Sequence, residues 1–159
     1  MERKEKKMTL AGTFAPILIA DDDGDDKMMV AKALKENRVG NPLVTVADGE
    51  ELLEYLRRQG RYQDAVRPCF VLLDLNMPRI DGREALKIIK SDSELKKIPI
   101  VILTTSKAEE DILKGYNLGA NSYITKPVTF EGLVKVMNSL KNYWLEIVEL
   151  PESDPLEQP

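Results

Sequence analysis

Four apolar runs in this chain stop abruptly at residues suited to holding a phosphate or a divalent cation. Pro-Ile-Leu-Ile-Ala leads into Asp21, Asp22 and Asp23, Phe-Val-Leu-Leu into Asp74, Ile-Val-Ile-Leu into Thr104, and Ser-Tyr-Ile-Thr into Lys126. If the runs are parallel strands of one sheet, all four groups emerge along the same edge. That is the edge at which open α/β sheets take their ligands.

The spacing between the runs supports that arrangement. Strands are expected near residues 16–20, 43–47, 69–74, 99–104 and 121–125, short and β-branched enough to be buried on both faces. Between them lie segments with helical spacing: Met28, Ala31 and Leu34; Leu52, Tyr55 and Leu56; Ala85, Leu86 and Ile89; Ile112, Leu113 and Tyr116. Asn41-Pro42, Asp48-Gly49, Asp81-Gly82 and Leu118-Gly119 punctuate the units as turns or helix ends. Alternating β and α segments imply repeated βα units and a parallel sheet; the expected fold is a flavodoxin-like (βα)5 doubly wound sheet, whose strand order is 2-1-3-4-5. A last helix is expected from 130 to 148, longer than packing on the sheet requires, with Leu133, Val136, Met137, Leu140, Tyr143, Trp144 and Ile147 on one stripe. Residues 1–14 read as a charged flexible leader, 15–150 as one domain and 151–159 as a disordered acidic tail.

Composition removes several kinds of chemistry. The 159 residues contain no histidine, which excludes Ser-His-Asp catalysis and His-ligated zinc. A phosphohistidine, if one is needed, must come from another protein. Cys69, the single cysteine, excludes an internal disulfide and reads as a small core residue. A net charge of −4, with no Lys/Arg cluster beyond the leader, argues against direct nucleic-acid binding. No apolar stretch approaches the roughly 20 residues that span a bilayer, and the start lacks a secretory h-region. A cytoplasmic location is expected.

The acidic cluster carries most of the functional information. In the 2-1-3-4-5 order, strands 1 and 3 are neighbours, so Asp21, Asp22 and Asp74 meet. Two carboxylates about 4 Å apart repel by about 4 kcal/mol at a moderate effective dielectric. Lys126 or a bound cation would relieve this repulsion, and an all-oxygen site with few protein ligands is what Mg²⁺ prefers. Asp23, Asp25 and Asp26 read instead as cap and dipole residues of the following helix. Thr104 as a plain strand residue, Lys126 as a solvated turn lysine and Tyr123 as simple core are the blander alternatives.

Taken together, ILIADDDGDD, FVLLDLNMPRIDG, VILTTS and SYITKP resemble the receiver domains of two-component response regulators, over residues 16–142. The resemblance implies that Asp74 accepts a phosphoryl group from a sensor histidine kinase. Asp21, Asp22, Asp74 and the backbone carbonyl of Asn76 would hold Mg²⁺. Thr104 would follow the phosphoryl group, Lys126 would pair with it, and Tyr123 would be the aromatic switch. Asn76 and Ser106 occupy variable positions that tune phosphoryl lifetime, and a cis Lys126–Pro127 bond is implied. Such a domain is a phosphoacceptor that catalyses its own phosphotransfer and dephosphorylation, not an enzyme acting on a separate substrate.

With no effector domain after the last helix, output is expected through a changed surface formed by helix 4, strand 5 and helix 5, read by a downstream protein. A narrower resemblance, carried by ANSYITKP, LTTS and Tyr143-Trp144, is to stand-alone receivers served by phytochrome-type kinases. Such receivers often dimerise, which makes Tyr143, Trp144, Ile147 and Val148 candidate homodimer contacts; the alternative is that these residues fold back on the same subunit. Three competing readings remain. An aspartyl-phosphate phosphatase needs a second aspartate where Asn76 stands. A flavodoxin-type carrier needs a Ser/Thr-rich turn where the acidic cluster stands. A receiver-like interaction module would never be phosphorylated.

Overall fold

The structure, a computed structural model, describes residues 15–75, 77–104, 107–116, 119–120 and 122–142. In chain order the elements are β1 (Ile17–Ala20), α1 (Gly24–Glu36), β2 (Leu43–Val46), α2 (Gly49–Arg57), β3 (Phe70–Asp74), α3 (Gly82–Ser91), β4 (Ile100–Thr104), α4 (Lys107–Tyr116), β5 (Ser122–Thr125) and α5 (Phe130–Asn142). The strands are all parallel, in the order β2-β1-β3-β4-β5. This is the expected flavodoxin-like arrangement.

The period-2 geometry of the strands divides their side chains between two cores. Leu18, Ala20, Val71, Leu73, Ile100 and Ile102 face α2 and α3, where Leu52, Leu56, Leu86 and Ile89 meet them. Ile17, Ile19, Phe70, Leu72, Val101 and Leu103 face α1 and α5, against Val30, Leu34, Met137 and Leu140. The central strands β1, β3 and β4 are buried throughout. Edge strands β2 and β5 are only partly buried, contrary to the expectation of burial on both faces, because each has one neighbouring strand.

Three of the helices begin on the same device. Asp23, Asp48 and Asp81 are the N-caps of α1, α2 and α3, each accepting from backbone N–H groups of the first turn, worth about 1 kcal/mol apiece. Gly49 admits a close approach, since a Cβ there would lie 1.9 Å from the carbonyl oxygen of Ile80. Gly119, at φ +94°, takes a left-handed turn before β5.

Three further expectations are corrected. The buried stripe of α1 is Val30, Ala33 and Leu34, whereas Met28 is 54% exposed and Ala31 only partly buried. Packing against α5 and the sheet selects among several overlapping apolar stripes. On α4, Ile112 is 59% exposed rather than covering the sheet. The Lys126–Pro127 bond is trans, no cis bond occurring among the described residues, in line with the trans preference of about 0.5–1 kcal/mol for X–Pro bonds. The leader, the acidic tail, Asn76, Ser106, and the dimer candidates Tyr143, Trp144, Ile147 and Val148 lie outside the described residues.

Candidate functional site

Parallel pairing fixes which residues reach the carboxyl edge together. Ala20 pairs with Leu73, Asp74 with Leu103 and Thr104 with Thr125. Asp21, one residue past β1, and Asp74, the last of β3, are therefore neighbours. Lys126 leaves β5 held by its own N–H, which donates to the Thr104 carbonyl at 2.8 Å.

The carboxylates of Asp21, Asp22 and Asp74 offer oxygens all within 4.8 Å of one another. Asp21 and Asp74 are buried and Asp22 is exposed, so the cluster opens to solvent on one side. Asp21 is oriented by the N–H of Asp23, which donates to its Oδ1 at 2.9 Å. That leaves Oδ2 for Lys126, whose Nζ lies 3.2 Å from Asp21, 3.4 Å from Asp74 and 2.8 Å from Asp26. Burial alone would lower the pKa of this ammonium. The hydrogen bond to Asp26 and the charges of Asp74 and Asp21 outweigh it and hold the pKa above the usual lysine value.

Thr104 is fully buried. Its Oγ1 lies 3.4 Å from the carbonyl of Ile124 and 3.5 Å from Oγ1 of Thr125, on the β5 side. Thr125 in turn donates to the buried carboxylate of Glu110 at 2.6 Å, and Lys107 reaches the same carboxylate at 3.4 Å. Tyr123 packs against the α2/α3 core, with its hydroxyl buried and without a hydrogen-bond partner among the described residues.

The structure thus brings Asp21, Asp22, Asp74 and Lys126 together, with Thr104 ending the strand beside Asp74. Three contributors escaped sequence reasoning. Asp26 was assigned to the helix dipole, and it does stand in the first turn of α1, but it also makes the shortest contact to Lys126. Glu110 was hidden in the charged run that opens α4. Arg79, at φ +66°, ion-pairs with Glu50 and Asp48 and so ties the β3–α3 loop to the start of α2. The only available signal for Asp26 was its place one turn into a helix that starts at the site's edge.

The family model for the response regulator receiver domain matches residues 17–138. The chain belongs to that family. Among curated relatives, response regulator Rcp1 of Synechocystis sp. is 40% identical over 135 residues, covering 85% of this chain and 92% of Rcp1. Among solved structures, the phosphorylated cyanobacterial phytochrome response regulator RcpA is 42% identical with a TM-score of 0.78, covering 87% of this chain and 99% of RcpA. The Mn²⁺-bound form of Rcp1 is 39% identical with a TM-score of 0.76, covering 86% and 99%.

Proposed function

We propose that this receiver accepts a phosphoryl group from a sensor histidine kinase onto Asp74, in a Mg²⁺-dependent reaction, and signals through a phosphorylation-induced change of its surface. The observation that carries the reading is the convergence of three carboxylates and one lysine at the carboxyl edge of the sheet.

The donor set fits Mg²⁺: carboxylate oxygens only, one side open to water, and an excess of negative charge that a single lysine does not cancel. Asp21, Asp22 and Asp74 would hold the ion, with the Asn76 carbonyl as the further ligand the resemblance implies. When bound, Mg²⁺ withdraws charge from the phosphoryl oxygens. The rest of the chemistry belongs to the chain. A carboxylate oxygen of Asp74 attacks phosphorus as the bond to the donor's imidazole nitrogen breaks, and the bonding pair leaves with the imidazole. Lys126 stabilises the negative charge on the transferring group and then pairs with the acyl phosphate. Thr104 offers its hydroxyl to the phosphoryl group once it is in place.

In the output step, Thr104 and Tyr123 bias a two-state equilibrium of the α4–β5–α5 face. The phytochrome response regulator RcpA among the solved structures favours a phytochrome-type kinase as donor; a cytoplasmic setting and a protein target read by surface contact complete the proposed reading. Among the described residues no helix is long and apolar enough to cross a membrane.

Incubation with a small-molecule phosphodonor and Mg²⁺, followed by intact-mass measurement, tests the reading. One added phosphoryl group is expected in the parent and none in Asp74→Asn. An unmodified parent, under conditions that label another receiver, would favour an interaction module that is never phosphorylated.

A further inference from the structure

Lys126 has three N–H donors, and three carboxylates surround its ammonium: Asp26 at 2.8 Å, Asp21 at 3.2 Å and Asp74 at 3.4 Å. Asp21 and Asp74 belong to the cluster suited to a cation, and Asp26 does not. A cation on Asp21 and Asp74 neutralises those two and weakens their hold on the lysine. Asp26 keeps its charge and makes the shortest contact.

We propose that Asp26 is a positioning residue that competes with the phosphoryl group for Lys126, and so sets how readily Asp74 gains and keeps that group. The inference rests on the phosphoacceptor reading given above. Two effects act in the same direction. A phosphoryl oxygen must draw one ammonium donor away from Asp26, and the Asp26 carboxylate repels the incoming anion because both lie within reach of one nitrogen. Asp26 can release the lysine at modest cost, since its side chain is 43% exposed and water can replace the ammonium. The pair also borders a cavity of about 150 Å³ beside Pro127, Phe130 and Leu133, so the freed side chains have room to move.

The test is calorimetric binding of beryllium fluoride, a phosphoryl mimic, to the full chain at saturating Mg²⁺, in the parent, Asp26→Asn and Asp26→Glu. Asp26→Asn is expected to bind about fivefold tighter, as loss of a partly exposed ion pair allows, and Asp26→Glu to return toward the parent. Carbon-13 shifts of the Lys126 ε-methylene in metal-free protein supply a second readout. They should move in Asp26→Asn and be restored in Asp26→Glu, which a merely structural role would not produce. Unchanged or weaker binding by a folded Asp26→Asn overturns the proposal while leaving the phosphoacceptor reading intact. A parent that binds no beryllium fluoride removes both.

Discussion

Gly82 seats the first turn of α3 directly on the backbone that carries Asp74. A Cβ at this position would lie 2.6 Å from the Cα of Leu75 and 2.7 Å from the carbonyl oxygen of Asp74, against 3.4–4 Å for ordinary contact. The same backbone is pinned by the Gly82 N–H, which donates to the Leu75 carbonyl at 3.0 Å. Gly82→Ala must therefore push α3 and the end of β3 apart by close to 1 Å, because the two nearest atoms are main chain and only the more distant Leu75 Cδ2, at 3.1 Å, could yield. Overpacking of this kind costs about 1–3 kcal/mol, and a displacement of about 1 Å at a reacting group can cost about 100-fold in rate. Urea unfolding should show the first, and the initial rate of labelling by a small phosphodonor the second. Gly24→Ala is the control. Nothing lies within 4 Å of the Cβ it would add, and a compatible Gly→Ala change stabilises by about 0.4–1 kcal/mol. A Gly82→Ala protein as stable and as quickly labelled as the control would refute the claim that this contact holds Asp74 in place.

Lys126→Ala leaves the buried Asp21 and Asp74 without their counter-ion. Urea unfolding in chelator should show a loss of about 3–5 kcal/mol, and added Mg²⁺ should narrow the gap to the parent. Burial pushes the Cys69 thiol from 9.0 up to about 11. Its contribution to stability is thus fully present below pH 9.0 and lost as pH rises through about 11, and the native thiol should resist alkylation at pH 8 until denaturant is added. Thr125→Val removes the 2.6 Å donor to the buried Glu110 and should destabilise by about 1–3 kcal/mol in thermal or urea unfolding, whereas Thr45→Val on the exposed face of β2 should fall within about 0.5 kcal/mol of the parent.

The sheet was legible in the sequence because buried parallel strands are short, apolar and bounded, and because Asp74 and Thr104 end theirs abruptly. The alternation of β and α segments marks a parallel sheet but leaves its strand order open; the flavodoxin-like order 2-1-3-4-5 is what makes Asp21 and Asp22 meet Asp74. The register of α1 was not legible. Met28, Met29, Val30, Ala31, Ala33 and Leu34 offer several apolar stripes, and only contact with α5 and the sheet chooses Val30, Ala33 and Leu34. The contact of Asp26 with Lys126 is hidden for a similar reason. An acid in the first turn of a helix already has a local explanation, while its partner Lys126 is 100 residues away. Glu110 stands among other charged residues, and its buried carboxylate takes its partner Thr125 from β5, which no local pattern reveals.

Binding of Mn²⁺, followed by electron paramagnetic resonance, tests most directly whether carboxylates from two separate strand ends share one ion. The account predicts one site per chain, weakened more than about tenfold by Asp21→Asn or Asp74→Asn, since each removes a ligand, and unaffected by Asp25→Asn in the exposed first turn of α1. Equal affinity in all four proteins would contradict it.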